Sequence, residues 1–449
     1  MKKKVVFLMM LLWVIINPGN ISAQVQDKWE GDILILGNSL HFEIDFDKQE
    51  HGVMNVPAQG ASGLRLNRKE IQNDSIFFLV DSGRSNMRFE GKITHDDSIQ
   101  GRFLQSGYSG KFKLYRQKEA MTHSGVNREV KFYNDTIKLA GTLSLPDTNK
   151  KHPAVIMISG SGQQDRDENV FGFKVFKEMA PAFIDKGFAV LRYDDRGTGG
   201  SDYGNPEDCD TRDFADDARA AFQFLKQHPN INNENIGILG HSEGGMIAPM
   251  VADEHNVGFI ILMAAPTVPG KDLLLRQTER ILETMDFSEE EITRRKNINE
   301  EIYDEVMKEN TDTSIIKQSF QKLSQSDELT IDSAAMQAQM TQQMKAVLSP
   351  WIQFFLSYNP APQLKTLDIP VLALFGKKDV QVDSQQNKIL IRDMIDQGKE
   401  NYTLKIFPHA NHLFQHADTG SMQEYQQLPK EFTDGFLKYI TNWAEQAVR

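Results

Sequence analysis

Several features are scarce in this 449-residue chain, and each scarcity removes a class of protein. The chain has one cysteine, Cys209, so no internal disulfide can form and the fold must hold by its core. Nor does that cysteine stand where a lipid-modified residue would follow a leader. Basic residues are outnumbered, 50 Lys and Arg against 62 Asp and Glu, for a net charge of -12 at pH 7. That surplus of acid argues against a nucleic-acid partner, which would call for a basic face. Beyond the N-terminus no apolar run approaches the roughly 20 residues needed to span a bilayer. His-Glu-x-x-His is missing, and the three close histidines His409, His412 and His416 have no carboxylate cluster beside them, so no metal site is expected. A dinucleotide fingerprint starts at Gly160-Ser161-Gly162 but fails where Asp165 replaces the third glycine. No organic cofactor is implied.

What is present begins with MKKKVVFLMMLLWVIINPGNISAQ: three lysines, an apolar stretch from Val5 to Ile16, a Pro-Gly break and small residues at Ser22-Ala23. This is the layout of a secretory signal peptide over residues 1–23, and it predicts an exported bacterial protein, periplasmic or secreted, with no membrane span left after cleavage.

Residues 24–117 then read as short alternating runs such as "DILILGNSLHFEIDFD" and "MRFEGKI", broken by Gly, Asn, Asp and Ser. Period-two alternation with such punctuation predicts a small all-β domain, an antiparallel sheet or barrel, with no evident chemistry. A polar linker follows around Lys118 to Val126. From 127 to 449 the pattern changes: continuous apolar runs, "AVIMIS", "FAVLRY", "IGILG", "FIILM" and "VLALFG", alternate with helix-like stretches. Strands buried on both faces and separated by helices predict an α/β fold with a mostly parallel sheet. The stretch of about 270–364 lacks such strands and has helical spacing, which reads as a helical cap inserted over the carboxyl edge of the sheet. Trp351, Phe354, Phe355 and Tyr358 near its end either line an apolar pocket or form the core of the cap.

Between "IGIL" and a helix-like run lies Gly240-His241-Ser242-Glu243-Gly244, a G-x-S-x-G in strand-to-helix context. Such a turn strains the serine backbone and holds its hydroxyl above the sheet, while the glycines remove side chains that would collide. The helix that starts at Glu243 aims free N–H groups toward a developing oxyanion. A serine hydroxyl needs a base oriented by an acid. Asp379 follows the run "VLALFG" and His412 follows "LKIF", giving the order Ser242, Asp379, His412; Asp383 is the rival acid, and Asp379 would then be a helix cap. The glycine-bearing loop Ser159–Gln164 offers the N–H of Gln163 as second oxyanion donor. Asp165, Arg166, Asp167, Arg192, Asp194, Asp195 and Arg196 form two charge clusters that read as an ion-pair network bracing this loop, or as an anchor for a charged substrate end. Cys209 has no base placed near it and reads as inert.

Taken together, "SGSGQQDRDEN", "LRYDDRGTGGSD", "GILGHSEGG", "YNPAPQLKTLDIPVLALFGKKDVQV" and "HANHLFQ" resemble the secreted bacterial serine esterases of the EstD type, within the α/β-hydrolase superfamily, whose relatives are often labelled serine aminopeptidase S33-like. The resemblance runs from about Lys131 to Arg449. It implies an α/β-hydrolase fold with a helical cap, the triad Ser242, Asp379 and His412, oxyanion donors at Gln163 and Glu243, and serine carboxylesterase activity on short to medium acyl esters. Two rival functions remain: a serine aminopeptidase or amidase on short peptides, and a non-catalytic envelope protein that binds glycan or a partner. His409 departs from the small residue more usual there, and is expected to crowd the site or to add a second titrating imidazole.

Overall fold

The computed structural model describes residues 28–35, 38–46, 52–56, 61–81, 86–94, 98–105, 107–116, 125–203, 208–324 and 333–449. The expected signal peptide, residues 1–23, and most of the expected linker lie outside them. The chain divides into two compact units, Met1–Ala120 and Met121–Arg449.

The first unit is a closed antiparallel barrel of eight strands: β1 (Lys28–Ile35), β2 (Asn38–Asp45), β3 (Val53–Val56), β4 (Ala61–Gln72), β5 (Ser75–Asp81), β6 (Asn86–Ile93), β7 (Ser98–Gln105) and β8 (Tyr108–Arg116). Closure comes from β1, which pairs with both β2 and β8 and so leaves no free edge. Alternation sends one face of each strand inward. Phe42, Phe78, Phe89 and Phe112 meet in the middle, Phe78 stacked on Phe89 with centroids 4.5 Å apart. The barrel is therefore filled by its own side chains.

The second unit holds an eight-stranded sheet made of β9 (Val126–Asn134), β10 (Ile137–Leu145), β11 (His152–Ile158), β14 (Ala189–Tyr193), β15 (Ile231–His241), β16 (Phe259–Met263), β17 (Val371–Gly376) and β18 (Tyr402–Phe407), in the order β18-β17-β16-β15-β11-β14-β10-β9. All neighbours from β14 to β18 run parallel; β9 and β10 are antiparallel. A two-residue pair, β12 (Asn169–Val170) and β13 (Phe173–Lys174), sits in the loop after β11. The central strands are buried throughout because helices cover both faces. On one face lie α2 (Thr211–Gln227), α3 (Gly244–Glu254) and α10 (Ser384–Asp396); on the other lie α1 (Val175–Asp185) and α11 (Phe436–Ala447). Helix α2 starts at a reciprocal cap, the Asp210 side chain on N–H groups of the first turn and Asp213 on the Asp210 N–H.

Between β16 and β17 runs the cap: α4 (Gly270–Thr284), α5 (Glu289–Val306), α6 (Thr313–Ser324), α7 (Ser333–Val347), α8 (Pro350–Ser357) and α9 (Ala361–Thr366). It has its own small core of Ile298, Ile302, Val306, Ile316, Val347 and Leu356. The chain folds as an α/β hydrolase behind a small all-β domain. Among the described residues no helix is long and apolar enough to cross a membrane.

Candidate active site

The carboxyl ends of β11, β15, β17 and β18 converge on one cavity of about 240 Å³, lined among others by Gly160, Ser161, His241, Ser242, Trp351, Phe355 and His412. Ser242 is the first residue past β15 and carries a left-handed backbone, φ +53°. A serine holds that conformation only where its surroundings over-determine it, at a cost of roughly 1–3 kcal/mol. Here the Ser242 N–H donates to the Met263 carbonyl and its own carbonyl accepts from Gly245 N–H, both at 2.9 Å. The flanking glycines are needed for close approach: a side chain on Gly240 would strike the Gly244 carbonyl, and one on Gly244 the Ile158 carbonyl.

His412 Nδ1 lies 2.8 Å from Asp379 Oδ2, and both residues are buried. The other oxygen, Asp379 Oδ1, accepts from the N–H groups of Gln381 and Val382 at 2.8 and 2.9 Å. This fixes the carboxylate plane, so the imidazole is held with Nε2 as its free nitrogen. Asp383, the rival acid, is instead the cap of α10, accepting from Gln385 N–H and pairing with Arg276 at 2.6 Å.

The loop after β11 presents Ser161 to the cavity. Gln163 is exposed and is not among the residues lining the cavity, whereas Ser161 is. Gly162 takes φ +92°, and buried Asp195 accepts from the Gln164 N–H at 3.0 Å. Ser161, rather than Gln163, is thus the residue of this pair that lines the cavity. Glu243, the other expected donor, directly follows the nucleophile as the N-cap residue of α3.

His409 departs from expectation: it is exposed, stacks on His416 with centroids 5.0 Å apart, and does not line the cavity, so it does not crowd the site. The four cap aromatics divide into two stripes. Trp351 and Phe355 stack on each other and line the cavity; Phe354 and Tyr358 stack one step round the helix, with Arg212 over Phe354.

The charge clusters pair internally. Arg166 grips Asp194 through Nε and Nη2, at 3.0 and 2.8 Å, and Glu129 through Nη1 at 2.5 Å. Arg192 pairs with Asp167, and Arg196 is bidentate on Asp217 at 2.7 Å for each contact. The loop itself is held by Asp195, whose Oδ2 accepts from Ser159 Oγ and Gln164 N–H, both at 3.0 Å. Cys209 is buried beside Arg196; burial pushes its thiol up, against the pull of the guanidinium, so it is no thiolate nucleophile.

Sequence reasoning passed over two buried acids. Glu243 is 3% exposed, and its Oε1 accepts from Thr211 Oγ1 at 2.6 Å and from the Trp351 indole N–H at 2.8 Å. Burial raises its pKa, against the lowering by these donors and by the Ser161 hydroxyl. Glu168 is 1% exposed and 2.7 Å from His241 Nδ1. The signal for Glu243 was an acid inside a glycine-flanked turn, where a solvated face is implausible; Glu168, in "DRDENVFG", carried none.

The fold and this constellation define a serine hydrolase-type site on an α/β-hydrolase scaffold, and residues 173–418 match the family described as serine aminopeptidase, S33. The chain belongs to that family. Among curated proteins it is similar to esterase EstD of Thermotoga maritima, 25% identical over 279 residues that cover 61% of this chain and 58% of that one. It also resembles thiohydrolase aneE of Aspergillus aculeatus, 32% identical over 141 residues, 30% of this chain and 39% of that one. The chain thus spans less than two thirds of either relative. Among solved structures, an esterase of Pyrococcus furiosus matches with a TM-score of 0.45 and 13% identity over 74% of this chain and 94% of that one. Est1E of Butyrivibrio proteoclasticus with ferulic acid bound matches with a TM-score of 0.42 and 17% identity, over 71% and 96%.

Proposed function

We propose that the protein is a serine carboxylesterase that hydrolyses short to medium acyl esters. The observation that carries this reading is the His412–Asp379 contact of 2.8 Å, opening on the same cavity as a serine held at φ +53°. Ser242 Oγ attacks the ester carbonyl while His412 Nε2 takes its proton and Asp379 stabilises the imidazolium. The N–H groups of Glu243 and Ser161 receive the oxyanion. His412 then gives its proton to the leaving alcohol, and water, activated by the same imidazole, releases the acid.

An ester is favoured over a peptide with a free amine by the lining of the cavity. Among the described residues its one acidic lining residue is Glu168, whose Oε1 is engaged by His241 and by the Gly160 N–H and whose Oε2 is buried. An ammonium group would therefore meet no exposed carboxylate oxygen. The small volume and the walls formed by Trp351, Phe355, Leu273 and Leu274 suit a compact apolar acyl chain. Export to the periplasm or beyond belongs to the same proposal and rests on residues 1–23.

Hydrolysis of p-nitrophenyl esters of increasing acyl length, measured beside Ser242→Ala, tests the reading. Turnover that peaks at short or medium chains and disappears in the variant is the expected result. Faster release from aminoacyl amides than from esters would move the assignment to a peptidase.

A further inference from the structure

His241, the residue before the nucleophile, is buried with both ring nitrogens against oxygen. Its Nδ1 is 2.7 Å from Glu168 Oε1, and its Nε2 is 3.0 Å from the main-chain carbonyl of His412. A carbonyl oxygen only accepts, so Nε2 must carry a proton. The contact at Nδ1 needs a second proton, shared with the carboxyl. In either position of that proton the pair is neutral overall, which is what burial demands. The same Glu168 oxygen accepts the Gly160 N–H at 2.9 Å, and Gly160 immediately precedes Ser161. One side chain pair therefore ties the loop after β11 to the backbone of His412. The ring of His241 lies 4.8 Å from the ring of His412. Glu168 itself is held at φ +50°, with Oε2 buried and without a partner, a costly arrangement that a merely solvated acid would not keep.

We propose that Glu168 and His241 form a second, non-reacting carboxyl–imidazole pair that positions His412 and the Ser161 amide for catalysis. The proposal rests on the esterase reading for its chemistry, and both residues act through others. The groups facing the pair are Asp195, on the Glu168 side, and Asp379 and His412, on the His241 side. Burial alone would lower the pKa of His241, but Glu168, the His412 carbonyl and Asp379 together outweigh it and leave it raised. With a raised folded pKa, the two-proton state is kept to higher pH than in a free imidazole and is lost as the pH rises through the folded value.

The test is Glu168→Gln, which keeps size and an acceptor for Gly160 but removes the charge that holds the second proton. One measurement is the rate at which a fluorophosphonate labels Ser242 across a pH series, since this needs no knowledge of the substrate. The other is the proton spectrum at low field. The parent should show two low-field imidazole N–H resonances, one lost in Glu168→Gln and the other in Asp379→Asn. Labelling of folded Glu168→Gln should slow by about 10- to 100-fold, as small misplacements of catalytic groups do. The deficit should widen as the pH rises, because the variant loses the His241 proton earlier. Should Glu168→Gln fail to fold, His241→Gln carries the same expectation of slowed labelling. Labelling at the parent rate with an unchanged pH profile, or a spectrum in which Glu168→Gln removes no resonance, would overturn the proposal. A parent chain that does not label at Ser242 would instead sink the esterase reading, while the spectrum still decides whether the pair exists.

Discussion

In the barrel, four phenylalanines fill the centre, and among its described residues the one buried polar side chain is Ser98. In the hydrolase unit the carboxyl edge of the sheet buries Glu168, Asp194, Asp195, Arg196, Asp217, His241, Glu243, Asp379 and His412, and holds Glu168, Ser242 and Ala264 at positive φ. The barrel gains its stability from area removed from water, with little that could react. The hydrolase edge accepts desolvated charge and strained backbone, which oppose stability, and balances them with the apolar strands and helices beneath. Buried charge and strain concentrated at one edge are what mark the functional half of this chain.

The largest effects should separate the halves by activity. Ser242→Ala or His412→Ala should lower kcat for ester hydrolysis by about 10⁴-fold or more, and Asp379→Asn by about 10⁴-fold, with melting temperatures near that of the parent. Phe78→Ala in the barrel should leave the kcat of the Ser242 site unchanged. A comparable loss of kcat from the barrel variant would break the contrast.

The next effects concern stability. Phe78→Ala opens a cavity among stacked rings and should cost about 3–5 kcal/mol in barrel unfolding by denaturant. Asp217→Ala should cost the hydrolase unit a similar amount, about 3–5 kcal/mol, for a different reason: it leaves Arg196, at 8% side-chain exposure, without its bidentate partner. The two mechanisms part on repair. Arg196→Met with Asp217→Leu should recover much of the loss, because an apolar pair of similar volume replaces the ion pair. No recovery would mean that the further contacts of this pair to Asn134 and Asp213 carry the stability.

How legible each half was follows from the range of the interactions that build it. The serine turn could be read because its glycines clash locally, with residues four apart or with the adjacent strand. Asp379 could be narrowed to two acids, and what separates it from Asp383 is its contact with His412 Nδ1, 33 residues away, while Asp383 caps α10 and pairs with Arg276. The path of the loop was not legible because nothing in "SGSGQQD" tells that Gly162 takes a positive φ and that Asp195, 31 residues away, recruits Gln164. Glu168 to His241 spans 73 residues and Glu243 to Trp351 spans 108, so composition and spacing carry no trace of either pair. In the barrel, alternation marked strands, while closure depends on β1 meeting β8 across the whole unit.

The smallest predicted effect probes what buried charge costs this edge. Burial raises the pKa of Glu243 above the ordinary carboxylate range, even though Thr211, Trp351 and Ser161 donate to it. A carboxyl whose folded pKa is raised stabilises the fold fully below its unfolded pKa, and that contribution is lost as the pH rises through the folded value. At pH 8 the group is therefore a net burden relative to its protonated form at low pH, whatever its hydrogen bonds supply. Glu243→Gln keeps an acceptor for the Trp351 indole and the Thr211 hydroxyl, and leaves the main-chain N–H in place. Its melting temperature should exceed that of the parent by a few degrees at pH 8, with the gap closing as the pH falls toward 4, where the parent carboxyl is protonated. The opposite sign at pH 8 would show that the three donors need a full negative charge, and that the elbow and the cap residue Trp351 are held together by charge rather than in spite of it.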